Sequence, residues 1–286
     1  MLRAIVALLA GMVAAGPLPA AETLPAATRP SQISSPETLP AAPVVRRMVA
    51  PEARQGVASD GAFVYAVDNS AITRYRIADG AEVARWHGDP ALFPHINSCT
   101  LADRELVCAA SNYPAVPQTS AIEVFDRKTL RHKRSVSLGM TPGSLTVIDR
   151  HDGDWWAVFA NYDGKGGEPG RDHRYTLFAR LDRDMRVTRS WTFPESVLAR
   201  LRPRSVSGAS WGPGGRLYVS GHDLPEIYVL ALPEGGSALI HEATIPVASH
   251  GQAIDFDSKD PGLLWSIDRA SRTVIASRLP RREPNP

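Results

Sequence analysis

Apolar and polar positions alternate in short runs along the chain, most clearly between Ser205 and Pro233. Small residues from Ser205 to Ser210 open a strand, Gly212-Pro213-Gly214-Gly215 turns it, and Leu217-Tyr218-Val219 returns it. A polar step at His222-Asp223 then leads into a third apolar run, Ile227–Leu232. Strands this short, punctuated by Gly and Pro, predict an all-β repeat.

The unit recurs five times. The first has strands at Gln55–Ser59, Phe63–Val67, Ile72–Ile77 and Val83–Trp86. The second starts at Asn97 and continues through Leu106–Ala109, Ile122–Phe125 and Ser135–Leu138. The third opens at Gly143-Ser144 and continues through Trp155–Phe159, Tyr175–Leu181 and Val187–Phe193. The fourth is the Ser205–Pro233 stretch, with Ala238–Ile245 as its last strand. The fifth has only Gly251–Phe256, Leu263–Ile267 and Thr273–Leu279 before the apolar pattern ends. Its missing outer strand can come from Val44–Val49, which has no other partner, and joining the two closes a ring and removes two exposed edges. The expectation is a five-bladed β-propeller over residues 44–280, with six blades as the alternative.

The start of the chain changes the picture. Arg3 followed by the apolar run Ala4–Ala15 and a small-residue site near Ala20-Ala21 reads as a cleaved signal peptide over residues 1–21. That run is too short to span a bilayer. Residues 22–43, rich in Ala and Pro, read as a linker, and residues 281–286 as a disordered tail. The expected location is periplasmic or secreted. The only cysteines, Cys99 and Cys108, would lie opposite one another if Asp103-Arg104 forms a tight hairpin. An oxidising compartment favours a disulfide there, and a pair of small core residues is the other reading.

A formal net charge of +2 argues against a nucleic-acid partner, because Lys and Arg are scattered among nearly as many acids. No membrane span is expected, and a monomer is.

Aligning the five units exposes a polar column at the end of each second strand. Its first position holds Asp68, Asn112, Asn161, His222 and Asp268, and its second Asn69, Tyr113, Tyr162, Asp223 and Arg269. Hairpins reverse direction, so these ends lie beside the starts of the first strands, where Gln55, Asn97, Ser144, Ser207 and Gln252 stand. Both sets should ring one mouth of the central channel, where propellers bind ligands. The competing reading is that Asn and Asp at strand ends satisfy turn backbone. Two long loops, 113–119 and 163–173, follow the column on the same rim, and Glu168 in the second is a further candidate to reach over the mouth.

The repeats resemble those of YncE-like and quinoprotein-amine-dehydrogenase-like propellers of exported bacterial proteins. Gln55-Gly56-Val57 is also similar to the opening of glutamine cyclotransferases; their second Glu-Gly step falls here at Ile96-Asn97-Ser98, which has no carboxylate. Two functions follow as expectations. The first is a module that binds a small polar ligand or peptide segment at the mouth, through amides that hydrogen-bond well but make poor acids or bases. The alternative is an enzyme of the cyclase, lactonase or other hydrolase type. There His222 serves as acid or base, Asp223 orients it and Arg269 stabilises negative charge. No cofactor is expected, with a divalent cation at the carboxylates as the alternative.

Overall fold

The computed structural model describes residues 35–280. The expected signal peptide and C-terminal tail lie outside the described residues. After a two-residue strand, β1 (Glu37–Thr38), comes β2 (Val44–Val49). Blade one is then β3 (Gly56–Ser59), β4 (Phe63–Asp68), β5 (Ala71–Arg76) and β6 (Glu82–His87). Blade two is β7 (Ile96–Ala102), β8 (Glu105–Ser111), β9 (Thr119–Asp126) and β10 (His132–Met140). Blade three is β11 (Ser144–His151), β12 (Asp154–Ala160), β13 (Leu177–Leu181) and β14 (Val187–Thr192). Blade four is β15 (Gly208–Gly212), β16 (Arg216–Ser220), β17 (Glu226–Ala231) and β18 (Ile240–Pro246). Blade five is β19 (Asp255–Phe256), β20 (Leu263–Asp268) and β21 (Thr273–Arg278), with β2 as its outer strand.

The architecture is thus all-β with five blades. The innermost strands touch in sequence, β3 with β7, β7 with β11, β11 with β15, β15 with β19 and β19 again with β3. That closed series defines the channel. β2 pairs antiparallel with β21, from Val44 opposite Ser277 to Val49 opposite Thr273. The strand expected to complete the last blade does so.

Alternation explains why the blades stack. The inner strands of the blades present apolar side chains to neighbouring blades, and five apolar clusters fill the five interfaces. Trp265, 1 % exposed, anchors the interface between blades five and one. Trp156 and Trp191 fill the one between blades three and four. Cys99 sits directly opposite Cys108 across β7 and β8, and a disulfide joins them.

Three details depart from the expected pattern. Residues 37–42 are seated along blade four: β1 runs parallel to β18, and Leu39 and Ala42 enter the cluster between blades four and five. An α-helix, α1 (Glu195–Leu201), links blades three and four and buries Val197, Leu198 and Leu201. The innermost strand of blade five, expected over Gly251–Phe256, keeps ladder pairing only at Asp255 and Phe256. Gly251 and Gln252 both adopt positive φ there, +67° and +71°, which breaks extended backbone. Among the described residues, no helix is long and apolar enough to cross a membrane.

Candidate functional site

One end of the channel opens into a cavity of about 400 Å³, within the range of small-molecule sites. Each innermost strand, or the few residues leading into it, contributes one polar side chain: Gln55, Asn97, Thr146, Ser207 and Gln252. Four of these were expected. In blade three the lining residue is Thr146 instead of Ser144, because a β-bulge between Leu145 and Val147 leaves Thr146 unpaired and turns it inward. Its hydroxyl is buried and has no hydrogen-bond partner among the described residues. Backbone bonds lock the ring together: Gln252 N donates to Gly221 O at 2.9 Å and Ala253 N to Gln55 O at 3.1 Å.

A second circle comes from the ends of the returning strands, namely Asn69, Tyr113, Tyr162, His222 and Arg269. The fourth blade is displaced by one position in the sequence alignment. Gly208 pairs with Ser220 as Ser144 pairs with Ala160, so His222 corresponds to Tyr162 and not to Asn161. Asp223 therefore lies outside this cavity and lines an adjoining one of about 590 Å³, with Asp268, His250 and Arg272. His222, Gln252 and Arg269 border both.

The first position of the column is mostly structural. Asn161, fully buried, donates to Pro142 O at 2.8 Å and Tyr175 O at 3.1 Å. Asn112 closes its own loop, donating to Pro117 O at 2.9 Å and accepting from Thr119 N at 3.0 Å. Asp68 accepts from Asn69 N and pairs with Arg54 at 3.5 Å. Asp268 caps the following turn through Ala270 N and Ser271 Oγ. None of these four lines the first cavity. Short polar side chains at strand ends have satisfied backbone instead of facing the hub.

Glu168 does not reach over the mouth. It accepts from Gln118 N at 2.7 Å, while Gln118 Nε2 donates to Gly166 O at 2.6 Å, and this ties the two long loops together. Gly166, at φ +82°, lies so close to Tyr113 that a Cβ would stand 2.3 Å from its ring. The tied loops thereby present a continuous run of rings: His95 to Tyr113 and Tyr113 to Tyr162, each with centroids 5.1 Å apart.

The electrostatics are one-sided. Lys165, Arg204 and Arg269 line the cavity with His95 and His222. Burial, and then the charge of Arg269, push the His95 imidazole down to about 4 against a hydrogen bond to Asn97, so it is neutral at pH 7. Burial drives Tyr162 up. Asp223 Oδ1 lies 2.5 Å from His222 Nδ1, and Arg269 Nη1 lies 3.4 Å from His222 Nε2. A guanidinium can only donate, so Nε2 accepts and the ring proton sits on Nδ1, facing the carboxylate.

Two other clusters hold chemistry-bearing groups. Asp163, Asp172 and His173 offer ligand atoms within 4.8 Å of one another, enough to hold a cation. Their own bonds already occupy them: His173 Nδ1 lies 2.5 Å from Asp163 Oδ1, and Arg174 Nη2 is 2.6 Å from Asp172 Oδ2. Toward the far end of the innermost strands, all five blades join a second network. Asp149 accepts from Thr100 Oγ1 at 2.9 Å and Trp211 N at 3.0 Å, and Asp255 accepts from Ser59 N at 2.8 Å and Ser210 Oγ at 3.4 Å.

Fold and site together define a five-bladed β-propeller with a polar, cation-lined cavity at one mouth of its channel. No family model matches the chain, and no curated protein does. Among solved structures it is similar to a chain of the mitotic checkpoint complex, at 11% identity over 95% of this chain and 99% of that one, TM-score 0.46. It is also similar to the PQQ-bound aldose sugar dehydrogenase of Streptomyces coelicolor, at 15% identity over 79% and 77%, TM-score 0.49. Hydrazine synthase of Kuenenia stuttgartiensis matches at 12% identity over 78% and 83%, TM-score 0.45. The architecture rests on the strand pairing described above.

Proposed function

We propose that this chain is an exported propeller that holds a small polar ligand at the cation-lined mouth. The observation that carries the reading is convergence: side chains from all five blades, far apart in sequence, line one cavity. Gln252 supports it further, since its side chain makes no hydrogen bond to the described residues while its backbone is held at φ +71°. Export is supported by the apolar N-terminal run behind Arg3 and by the Cys99–Cys108 disulfide.

The test is a calorimetric titration of the folded chain with a panel of small polar molecules, repeated on Gln252→Ala. At least one panel member is expected to bind, with affinity falling about tenfold or more in the variant, the loss of roughly one hydrogen bond to a charged or well-oriented group. Silence across the panel, or binding that Gln252→Ala leaves unchanged, contradicts the proposal.

The His222–Asp223 pair favours a second reading, a hydrolase in which Arg269 turns from His222 to the substrate and the freed Nε2 accepts a proton from the attacking group. Turnover of esters, lactones or N-terminal-Gln peptides that His222→Gln abolishes, with binding retained, would establish it. Absence of turnover by the unaltered chain would remove it.

A further inference from the structure

Three cations reach the mouth, and among the described residues no carboxylate shares that lining. Arg204 and Lys165 have no ion-pair partner among the described residues, and Arg269 meets only the His222 ring, at 3.4 Å. The acid that acts on Arg269, Asp68, is drawn to Arg54 at 3.5 Å and Arg272 at 3.9 Å. The chain carries a net charge of only +2, so this concentration is local. Burial, and then the charges of Arg54, Arg272 and Arg204, weaken the hold of Arg269 on its proton in spite of Asp68. Cations crowded in a partly desolvated cavity repel one another, and an anion entering among them relieves that repulsion in addition to making its own bonds.

Two further observations narrow the anion. Thr146, 3 % exposed, lines the same cavity, and its buried hydroxyl has no hydrogen-bond partner among the described residues. Beside the cations stand the Tyr113 and Tyr162 rings, an apolar surface that a bare inorganic ion leaves unused.

We propose that the mouth binds a small aromatic carboxylic acid. Its carboxylate is met by Arg269, Arg204 and the Thr146 hydroxyl, and its ring lies against Tyr113 and Tyr162. This rests on the mouth being the ligand site. Arginine suits the carboxylate because its planar fork pairs both oxygens.

Titration calorimetry at pH 7 with benzoate, 4-hydroxybenzoate, benzamide, acetate and inorganic phosphate tests it on the full chain, on Arg269→Gln and on Tyr113→Ala. Exposed Lys165→Gln serves as a second charge variant should Arg269→Gln lose its fold. The aromatic acids are expected to bind at least tenfold tighter than benzamide, acetate or phosphate. Each charge variant should weaken them severalfold or more, and Tyr113→Ala should erase the advantage over acetate. Benzamide or phosphate binding as tightly as benzoate overturns the inference. So does silence toward both aromatic acids while other polar molecules bind in a Gln252-dependent way, and in that case the mouth stands as a ligand site. Silence toward every polar molecule tried overturns both.

Discussion

Met48→Asp should cost on the order of 4 kcal/mol, a large fraction of the stability of an ordinary domain. Met48 is the buried position of β2, 8 % exposed, and it packs with Trp265, Ile267, Val274 and Tyr75 between blades five and one. A carboxylate there has no partner within that apolar cluster, and burying it unpaired is among the few changes with so large a penalty. The effect is global because β2 is also the seam of the ring. Without it β21, buried along Thr273–Ser277, becomes an unprotected edge. Val45→Asp lies three residues away on the same strand at 55 % exposure and should change stability by no more than about 0.5 kcal/mol. Urea unfolding of the two variants checks the pair. Similar small losses in both would mean that the seam contributes little.

The second large effect concerns the far end of the channel. Burial, and then the charge of Asp149, hold the Asp255 carboxyl well above the ordinary carboxylate range; hydrogen bonds from Ser59 N, Ser210 Oγ and Phe256 N oppose the shift without cancelling it. Asp149 is raised as well, by burial first, against its own hydrogen bonds and the charge of His151. The folded chain therefore keeps a proton that the unfolded chain releases near pH 4. Stability from this pair is fullest in acid, falls as pH rises through the raised folded values, and levels off above them. His95 works in the opposite direction: the unfolded chain takes up its proton near pH 6.5, the folded one only near 4, so its contribution is lost as pH falls through that interval. Variants separate the two. Asp255→Asn keeps an acceptor for Ser59 N and can donate to Ser210 Oγ without charge, so it should be more stable than the unaltered chain at pH 8 and no more stable at pH 4. Asp255→Ala strands the Ser59 N–H and should cost about 1–3 kcal/mol relative to Asn at either pH. An Asn variant that follows the unaltered chain in parallel from pH 4 to 8 would contradict the carboxylate account.

The blades were legible because period-two apolar patterning and Gly/Pro turns are local signals, and each hairpin repeats them. Closure was legible for a different reason: Val44–Val49 had no partner in its own unit. The mouth was partly legible, since Gln55, Asn97 and Gln252 hold strand-start positions that the hairpin geometry fixes. Thr146 was hidden by a bulge, a change of register that composition does not announce. His222 was found, but its alignment with Asn161 was off by one position. His95, Lys165 and Arg204 lie in connections between or within blades, where no repeat marks which side chain faces the axis. The helix at Glu195–Leu201 carries apolar residues at 197, 198 and 201, too short a run to stand out between two strands.

Everything functional depends on unlike side chains from five blades sharing one hub. The most direct measurement is a crystal structure of the folded chain with its tightest-binding small molecule. That molecule is expected within hydrogen-bond reach of Thr146 Oγ1 and the Gln252 side chain. An ordered ligand seated elsewhere, with only water between Gln55 and Arg269, would contradict the account.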